Sequence, residues 1–323
     1  QGKAVNGGGI YFYNGGAASN CIFQNNTATT NGGAAYFYNS GRLQNCDLNN
    51  NTSRYGGAAY FYNGGVVTSS MISFNNAAYG GGGFYAYYGG SVLNSLIVSN
   101  RSRMGGGGYL LYGGVVQNSS ILNNMATNDV GGGLTIWYSG TAINCIISGN
   151  VARANSGGVD GGGVYLYNGG TIQNSLVVNN SSTDQGGGIT CWAGGTVQNC
   201  TRSVNSSSWG GGFYCALGGT IQNTISYLNY ADVGDNWFLS SGGSVAFSCS
   251  DPLPPGTGNI AADPQFRDAS LGNYRLQPDS PCINAAANSW WMTGAQDLDG
   301  NDRIVNLIAD IGVEPGQARD PRG

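Results

Sequence analysis

A repeated alternation of apolar and polar positions extends from about residue 5 to residue 248 and predicts a series of short β-strands. In residues 161–180 (GGGVYLYNGGTIQNSLVVNN), a glycine run precedes an alternating strand, a Gly-Gly turn, a second strand, and a third strand that ends at Asn-Asn. Successive side chains of a strand point to opposite faces, so Val164 and Leu166 face inward while Tyr165 and Tyr167 face outward. The rest of the stretch repeats this unit, which indicates a solenoid.

The first inward residue of each unit recurs every 24 to 26 residues, apart from one interval of 30 residues. These residues are Ile10, Ala35, Ala59, Phe84, Gly108, Leu134, Val164, Ile189, Phe213 and Trp237. We assign the long interval to a loop at residues 152–160. The pattern predicts an all-β fold, a parallel β-helix of about ten coils of 24–25 residues with three short strands each. Residues 1–250 then form the solenoid, and residues 251–323, where the glycine repeat stops, form a separate C-terminal segment.

The inward positions of the third strand break this regularity near the end of the repeat. They are apolar from Phe23 to Val177, but Arg202 and Ser226 follow in the next two units. A charged or polar side chain does not suit an apolar core. We therefore expect the register to slip, or the strand to bend, in the eighth and ninth coils.

Two columns of asparagine recur once per coil. One contains Asn20, Asn45, Asn94, Asn118, Asn144, Asn174, Asn199 and Asn223, with Ser69 in one coil, and the other contains Asn26, Asn51, Asn75, Asn100, Asn124, Asn150, Asn180, Asn205 and Asn229. Coils stack about 4.8 Å apart, so amides in successive coils can form hydrogen-bonded ladders. Asparagine also tolerates the left-handed backbone of a sharp corner. We predict structural ladders here and place the glycine runs at the remaining corner, where a side chain would crowd the next coil.

Charge and composition exclude several classes of function. Charged residues make up 9% of the chain, against about 25% in ordinary soluble domains, and the formal charge is −4. The absence of a basic excess argues against nucleic acid as a partner. No run of 18 apolar residues occurs, so no membrane span is expected. The chain contains no histidine, which excludes Ser-His-Asp and Cys-His catalysis.

The eight cysteines predict disulfide bonds and an oxidising, extracellular setting. Cys191 and Cys215 occupy the same inward position in adjacent coils, and so do Cys21 and Cys46. Adjacent coils bring Cα atoms to about 5 Å, which a disulfide can bridge. Cys249 and Cys282 form the third predicted pair. The alternative is that inward cysteine simply replaces the small serine of other coils.

The C-terminal segment carries motifs that the solenoid lacks. These are ADPQF (262–266), NYRLQPDSPCIN (273–284), DLDGNDR (297–303) and ADIGVEP (309–315). The sequence resembles secreted bacterial right-handed β-helix proteins with a pectate-lyase-like solenoid and a choice-of-anchor type C-terminal segment. The resemblance implies a secreted or surface-attached protein. It also implies that the parallel β-helix is right-handed and that residues 251–323 are a capping segment, which folds back on the last coil and covers an open sheet edge.

One tail motif resembles the start of a calcium-binding loop. Asp297, Asp299 and Asn301 stand at alternate positions, as the first ligands of such a loop do. A glutamate twelve positions into the loop is missing, because residue 308 is isoleucine. The two interpretations are a calcium site, as the sole cofactor considered, and a turn that ties the tail down.

Asparagine sequons at one corner of the coil predict glycosylation in a host that glycosylates. The candidates are Asn25, Asn50, Asn51, Asn100, Asn179, Asn180 and Asn205. Asn118 and Asn199 also lie in sequons, but their column was assigned to the interior.

Charged residues of the repeat do not form a recognisable catalytic cluster. Asp129, Asp160 and Asp184 each precede a glycine run, so they either cap turns or form a weak cation-binding stripe along one corner. Arg101 and Arg103 have no acid nearby in the repeat frame. Polysaccharide hydrolases need paired carboxylates, and lyases need a base together with carboxylates that hold calcium. We therefore expect a protein that is not an enzyme.

The outward face of the first strand forms two aromatic columns. One contains Tyr11, Tyr36, Tyr60, Tyr85, Tyr109, Thr135, Tyr165, Thr190 and Tyr214, and the other contains Tyr13, Tyr38, Tyr62, Tyr87, Leu111, Trp137, Tyr167, Trp192 and Ala216. Such a face suits protein–protein contact or stacking against sugar rings. Tyrosine stacking that only stabilises the sheet is the alternative.

Three functions follow from these features. The first is an extracellular fibre or matrix subunit that associates with itself, head to tail or laterally, because only four residues precede the first coil and an uncapped edge can template another strand. The second is a surface adhesin or carbohydrate-binding module that uses the tyrosines to bind extracellular glycans. The third is a polysaccharide lyase or hydrolase.

Overall fold

The computed structural model describes residues 2–153, 161–305 and 308–313. Within these residues the repeat winds into a parallel β-helix of about ten coils, as the alternation predicts. Three parallel sheets run along the solenoid, which we name sheets A, B and C. In each coil the chain passes from sheet B to sheet C and then to sheet A before it enters the next coil.

The strand bounds follow the repeat. Sheet A comprises Lys3–Asn6, Thr27–Asn31, Thr52–Tyr55, Asn76–Gly80, Arg101–Met104, Met125–Ala126, Val151–Ala152, Ser181–Ser182, Ser206–Trp209 and Tyr230–Val233. Sheet B comprises Ile10–Ser19, Ala35–Gln44, Ala59–Phe61, Val66–Thr68, Phe84–Ala86, Ser91–Leu93, Gly108–Gln117, Leu134–Ile143, Val164–Tyr167, Thr171–Gln173, Ile189–Trp192, Thr196–Gln198, Phe213–Ala216, Thr220–Gln222, Phe238–Ser241 and Ser244–Ala246. Sheet C comprises Ile22–Gln24, Asp47–Asn49, Met71–Ser73, Leu96–Val98, Ser120–Leu122, Ile146–Ser148, Leu176–Val178, Thr201–Ser203, Ile225–Tyr227 and Cys249–Ser250.

The number of strands per coil differs from the prediction of three. The first and second predicted strands form sheet B, where they are continuous in four coils, and the third forms sheet C. Sheet A is an additional strand in every coil. Its inward positions carry small residues such as Ser53, Ala77 and Ala126, so it has no apolar alternation to reveal it. The loop predicted at residues 152–160 lies mostly outside the described residues.

The predicted inward columns line one continuous core. Phe37, Leu43, Leu48 and Ile72 are fully buried, and the rings of Phe37 and Phe61 stack 4.7 Å apart inside the solenoid. Gly108 leaves room for the ring of Phe84, because a Cβ there would lie 2.2 Å from that ring. At this place in the column a large residue thus fills the space that the glycine of the next coil leaves, as close packing requires.

The expected register slip at Arg202 and Ser226 is wrong. Val177 pairs with Arg202 and Arg202 with Ser226, in unbroken register. Arg202 is instead accommodated inside the core, where its guanidinium lies 4.2 Å from the centroid of the Phe213 ring. Its burial lowers the pKa of Arg202 to about 10. The pairing of many successive coils fixes the strand register, so one arginine that is unfavourable in an apolar core does not change it.

The two asparagine columns form the corners of sheet C. Every member of the first column, with Ser69, adopts a left-handed backbone conformation. The second column is a buried ladder in which the amide of Asn51 donates to Asn75 at 3.0 Å and that of Asn75 donates to Asn100 at 2.9 Å. The glycine corner connects sheet A to sheet B. A Cβ on Gly57 would lie 2.1 Å from the carbonyl oxygen of Gly82 in the next coil, as crowding at this corner predicts.

The C-terminal segment has two parts. Residues 247–260 close the last coil, where the Phe247 amide donates to Thr257 and the Ser250 amide to Ile260. The remainder lies along the outer side of sheet C. The resemblance implied a tail that covers the last coil, and the observed tail covers this side of the solenoid as well. It contains strands Phe266–Asp268, Asn273–Leu276, Ile304–Val305 and Ile308–Ala309 and the 3-10 helices Ala269–Leu271 and Trp290–Met292. Its apolar residues pack against Leu176, Val178 and Ile225.

Candidate carbohydrate-binding face

The inner of the two predicted aromatic columns is not an exposed face. Tyr36, Tyr60, Tyr85 and Tyr109 point outward from sheet B but are only 5% to 8% exposed. Their rings stack at centroid distances of 4.8 to 5.4 Å, in the concave corner where sheet A meets sheet B. Tyr55 of sheet A covers them, with its ring 5.5 Å from that of Tyr85. The tyrosines of this column therefore stack on one another within the structure and stabilise the sheet, as the alternative interpretation predicted.

The same column continues buried along the solenoid, so the prediction of an exposed site is corrected for Tyr165 and Tyr214 as well. Their side chains are buried, and Thr135 and Thr190 in the intervening coils are fully buried. Only Tyr11, in the first coil, is exposed.

The outer column remains accessible. Tyr13 is exposed, and Tyr38, Tyr62 and Tyr87 follow it half-buried, with successive rings 5.1 to 5.6 Å apart and nearly parallel. The column continues through Trp137, Tyr167 and Trp192, which are also half-buried. Rings of Trp137 and Tyr167 lie 4.2 Å apart.

A third aromatic column was missed by the sequence analysis. Tyr88, Tyr112 and Tyr138 are more than 40% exposed, and the rings of Tyr112 and Tyr138 stack at 5.1 Å and 3°. Tyr88 meets Tyr87 edge to face at 4.4 Å. We name the accessible rings of both columns the aromatic platform: Tyr13, Tyr38, Tyr62, Tyr87, Tyr88, Tyr112, Trp137, Tyr138, Tyr167 and Trp192.

The alternation rule explains why the third column was missed. Tyr88, Tyr112 and Tyr138 each directly follow an outward residue, so period 2 assigns them inward. The strand register shifts at this point, between Leu110 and Tyr112 and again before Val115, and the backbone turns the ring outward. The adjacent pairs Tyr87-Tyr88 and Trp137-Tyr138 beside a glycine were the available signal.

A carboxylate lies at the edge of the buried tyrosines. Asp129 is 3.7 Å from Arg103, which corrects the expectation that this arginine has no acid nearby. Burial raises the pKa of Asp129, and Arg103 opposes that rise. The negative charge of Asp129 in turn contributes to the raised pKa of Tyr109. The site thus contains one half-buried carboxylate with an arginine and tyrosines around it.

Two other aspartates, Asp160 and Asp184, were predicted along the same corner of the coil as Asp129. Asp184 occupies the position two residues before a glycine run, as Asp129 does, and burial raises its pKa. The two backbone positions are two coils apart, or about 10 Å. Asp160 lies outside the described residues. Among the described residues no group of three or more His, Cys, Asp and Glu side chains could hold a metal ion.

The structure brings each predicted cysteine pair together. Cys191 and Cys215 are register partners on adjacent strands. The thiol of Cys21 contacts that of Cys46, and a hydrogen bond with Cys282 lowers the pKa of Cys249. The thiols of Cys21 and Cys191 are not oxidised in the structure, so the disulfides stay predictions that the geometry permits.

The tail motif that resembles a calcium loop forms a turn. One carboxylate oxygen of Asp297 accepts hydrogen bonds from the backbone amides of Asp299 and Asn301, both at 2.8 Å. Asp299 pairs with Arg275 at 2.8 Å. Carboxylate oxygens of both aspartates are thus engaged in hydrogen bonds within the tail, which favours the turn over the calcium site.

The predicted glycosylation sites divide into two groups. Asn51, Asn100, Asn180 and Asn205 belong to the buried ladder and are at most 1% exposed, so an oligosaccharide could not be attached without unfolding the coil. For these four residues the prediction is wrong. The three remaining candidates are exposed and occupy one equivalent corner position: Asn25, Asn50 and Asn179.

Comparison with known proteins bears on the fold. No protein-family model matches the chain, and no curated protein matches it either. The chain is similar in structure to the crystal structure of pectate lyase Pel9A, with a TM-score of 0.56 and 16% identity over 96% of this chain and 84% of that chain. The likeness confirms the right-handed, pectate-lyase-like parallel β-helix.

This comparison does not extend to activity. At 16% identity the likeness concerns the fold alone, and the same fold can carry unrelated functions. Because the matched protein is an enzyme, the comparison gives no support to the expectation of a non-catalytic protein. No helix in the described part of the chain has the length and apolarity to span a membrane.

Proposed function

We propose that this protein is an extracellular carbohydrate-binding protein and that a linear polysaccharide lies along the aromatic platform. The observation that carries the proposal is the row of accessible rings at coil spacing. Tyr88, Tyr112 and Tyr138 present nearly parallel rings 5.1 to 5.6 Å apart, next to Trp137 and Tyr167. Aromatic rings offer rigid apolar area with polar tips, which suits the faces and hydroxyls of sugars.

Substitution within the platform tests the proposal. Binding of soluble polysaccharides to Tyr112→Ala, Trp137→Ala and Tyr138→Ala is measured by affinity gel electrophoresis and isothermal titration calorimetry. Each loss of a ring is expected to weaken binding about three- to tenfold. Tyr230→Ala is the matched control, because Tyr230 is 66% exposed on sheet A near the far end of the solenoid. Unchanged affinity in all three platform variants contradicts the proposal.

Self-association is a second candidate, and the exposed apolar side chains of sheet C and its corner favour it. The side chains of Ile22 and Phe74 are 72% and 61% exposed on the part of this side that precedes the docked tail. A fibre or matrix subunit would associate through such a side. Sedimentation and negative-stain electron microscopy of the same sample distinguish filaments from single rods.

Catalysis on a polysaccharide is a third candidate, and Asp129 favours it. A half-buried carboxylate with a raised pKa, beside Arg103 and at the edge of the buried tyrosines, could serve as an acid or a base. Incubation with polysaccharides, followed by assays for unsaturated and reducing sugar ends, tests this candidate. Loss of product in Asp129→Asn with binding retained supports it, and no product from the unaltered protein excludes it for those substrates.

A further inference from the structure

Sheet A carries a row of arginines on its outer side. The inward positions Ser53, Ala77, Ser102, Ala126 and Ala152 are all buried. The positions that directly follow them face solvent and contain Arg54, Ala78, Arg103, Thr127 and Arg153. Within these five coils, arginine therefore occupies every second position of the column.

The spacing of the arginines is set by the stacking of the coils. Ser53 pairs with Ala77, Ala77 with Ser102, Ser102 with Ala126, and Ala126 with Ala152, so the strands stay in register up to the arginine column. Adjacent coils are about 4.8 Å apart, which places successive arginines about 10 Å apart. The row of three spans five coils.

The surroundings of the row keep its positive charge accessible. Arg101 and Lys3 face solvent on the same sheet, so five of the chain's twelve basic residues lie on one side of a chain with a formal charge of −4. The guanidinium of Arg54 stacks 4.6 Å over the ring of Tyr79, which holds it in place. Among the described residues, the ion pair found at the row joins Asp129 to Arg103 at 3.7 Å, with both side chains partly exposed.

We propose that this arginine row binds an acidic polysaccharide whose negative groups recur about once per disaccharide, an inference that rests on the proposed carbohydrate-binding function and names its ligand class. The arginine interval of about 10 Å is comparable with the length of two sugar units in an extended chain. The row borders the corner that holds the column of buried tyrosines, because Tyr55, next to Arg54, contacts the ring of Tyr85. Duplex DNA fits less well, since its phosphates recur about every 3.4 Å along one strand.

The first test compares ligands and removes the row. Probes are hyaluronan, with one carboxylate per disaccharide, polygalacturonate, with one carboxylate per sugar, and a neutral β-glucan. The unaltered protein is expected to bind both acidic polymers more tightly than the neutral one, with an affinity that falls as salt rises. The triple variant Arg54→Gln, Arg103→Gln, Arg153→Gln is expected to lose about tenfold or more in hyaluronan affinity. Arg42→Gln, on sheet B, is the matched control and is expected to bind as the unaltered protein does.

The second test moves a charge without changing the net charge. In Arg54→Ala with Ala78→Arg, one arginine shifts to the coil next to Arg103. Hyaluronan binding is then expected to weaken several-fold while polygalacturonate binding changes less, because its carboxylates occur at every sugar. Equal effects on the two polymers overturn the inferred spacing.

The outcomes separate this inference from the proposed function. If none of the three polysaccharides binds the unaltered protein, the carbohydrate-binding proposal itself is contradicted. If the neutral glucan binds as tightly as hyaluronan, or if the triple variant keeps its hyaluronan affinity, the arginine row is overturned and the aromatic platform stands. Binding of anionic lipid vesicles or single-stranded DNA as tightly as hyaluronan also overturns the assignment to a polysaccharide.

Discussion

At the scale of single residues, the stacked tyrosines show how an outward position becomes part of the interior. Burial raises the pKa of Tyr36 to about 12, and it raises the pKa of Tyr60, Tyr85 and Tyr109 further. The neutral phenol is the form that the buried corner accommodates. Because the phenolate is disfavoured in the folded protein and not in the unfolded chain, these tyrosines make stability depend on alkaline pH.

We expect the free energy of unfolding to fall as pH rises above about 10. The folded pKa values lie above the unfolded value, so the stabilisation is fully present below the unfolded pKa and is lost as pH rises through the folded values. Denaturant unfolding at about pH 9 and about pH 11 measures the change. Tyr60→Phe with Tyr85→Phe keeps both rings, removes both ionisable hydroxyls, and is expected to reduce the loss. Tyr230→Phe, at an exposed position, should leave it as it is, and equal losses in all three proteins would contradict this account.

The asparagine ladder concentrates hydrogen bonds in a few buried side chains. Asn100 accepts from the backbone and side-chain amides of Asn75 at 3.0 and 2.9 Å, and it donates to Ile72 and Asn124 at 2.8 and 3.0 Å. We expect Asn100→Ala to cost about 3 kcal/mol, because it leaves buried donors without partners. Asn123→Gly, at an exposed left-handed position of the neighbouring coil, should cost much less. Denaturant unfolding of both variants tests the ladder, and similar costs would argue against it.

Glycosylation gives a residue-scale prediction that the sequence could not make. A sequon shows only the acceptor motif, whereas burial in the ladder decides which asparagine is accessible. In a host that glycosylates, we expect sugar on Asn25, Asn50 and Asn179 and none on Asn51 or Asn180. Peptide mass spectrometry of the secreted protein identifies the occupied sites. Sugar on either ladder residue of this pair would contradict the buried ladder.

At the scale of strands, the sequence predicted those elements whose inward residues are large. Sheets B and C carry Phe, Leu, Ile and Val at alternate positions, and their predicted register is the observed one. Sheet A was missed because its inward positions are serine and alanine. The serine hydroxyls bond to the following corner, as when Ser53 donates to the Gly56 carbonyl at 2.8 Å. Small side chains suit a narrow corner but give no hydrophobic period.

Two adjacent alanines of sheet A allow a test of how closely the interior is packed beside this sheet. Ala77 faces inward and is 2% exposed, whereas Ala78 faces solvent. We expect Ala77→Leu to destabilise the protein by about 1–3 kcal/mol, because extra methylene groups overpack the corner. Ala78→Leu adds the same atoms outside and should stay within about 0.5 kcal/mol of the unaltered protein. Equal effects of the two changes, measured by denaturant unfolding, would mean that the corner is not closely packed.

At the scale of the whole molecule, the sequence indicated that the tail covers the solenoid but not which surface it covers. Residues 247–260 close the last coil, and the rest of the tail runs along sheet C. Its contacts are long-range and specific: the Gly312 amide donates to Asn223, and Thr201 exchanges hydrogen bonds with Val313. No local period encodes such contacts, so the motifs alone could not place them.

The packing of the tail on sheet C leads to the last prediction. Ile311 is fully buried in the cluster that joins the tail to the solenoid, whereas Leu271 of the same tail is 83% exposed. We expect Ile311→Ala to weaken the attachment by about 2–4 kcal/mol, the usual cost of removing a buried aliphatic side chain. Leu271→Ala should have little effect. Hydrogen exchange at the Gly312 and Val313 amides, which bond to the solenoid, measures the opening of the tail directly. Faster exchange at these amides in Ile311→Ala, with unchanged exchange in sheets B and C, is the expected result. Equal protection in both variants would show that the tail is held elsewhere, by the predicted Cys249–Cys282 bond for example, which added reductant would then reveal.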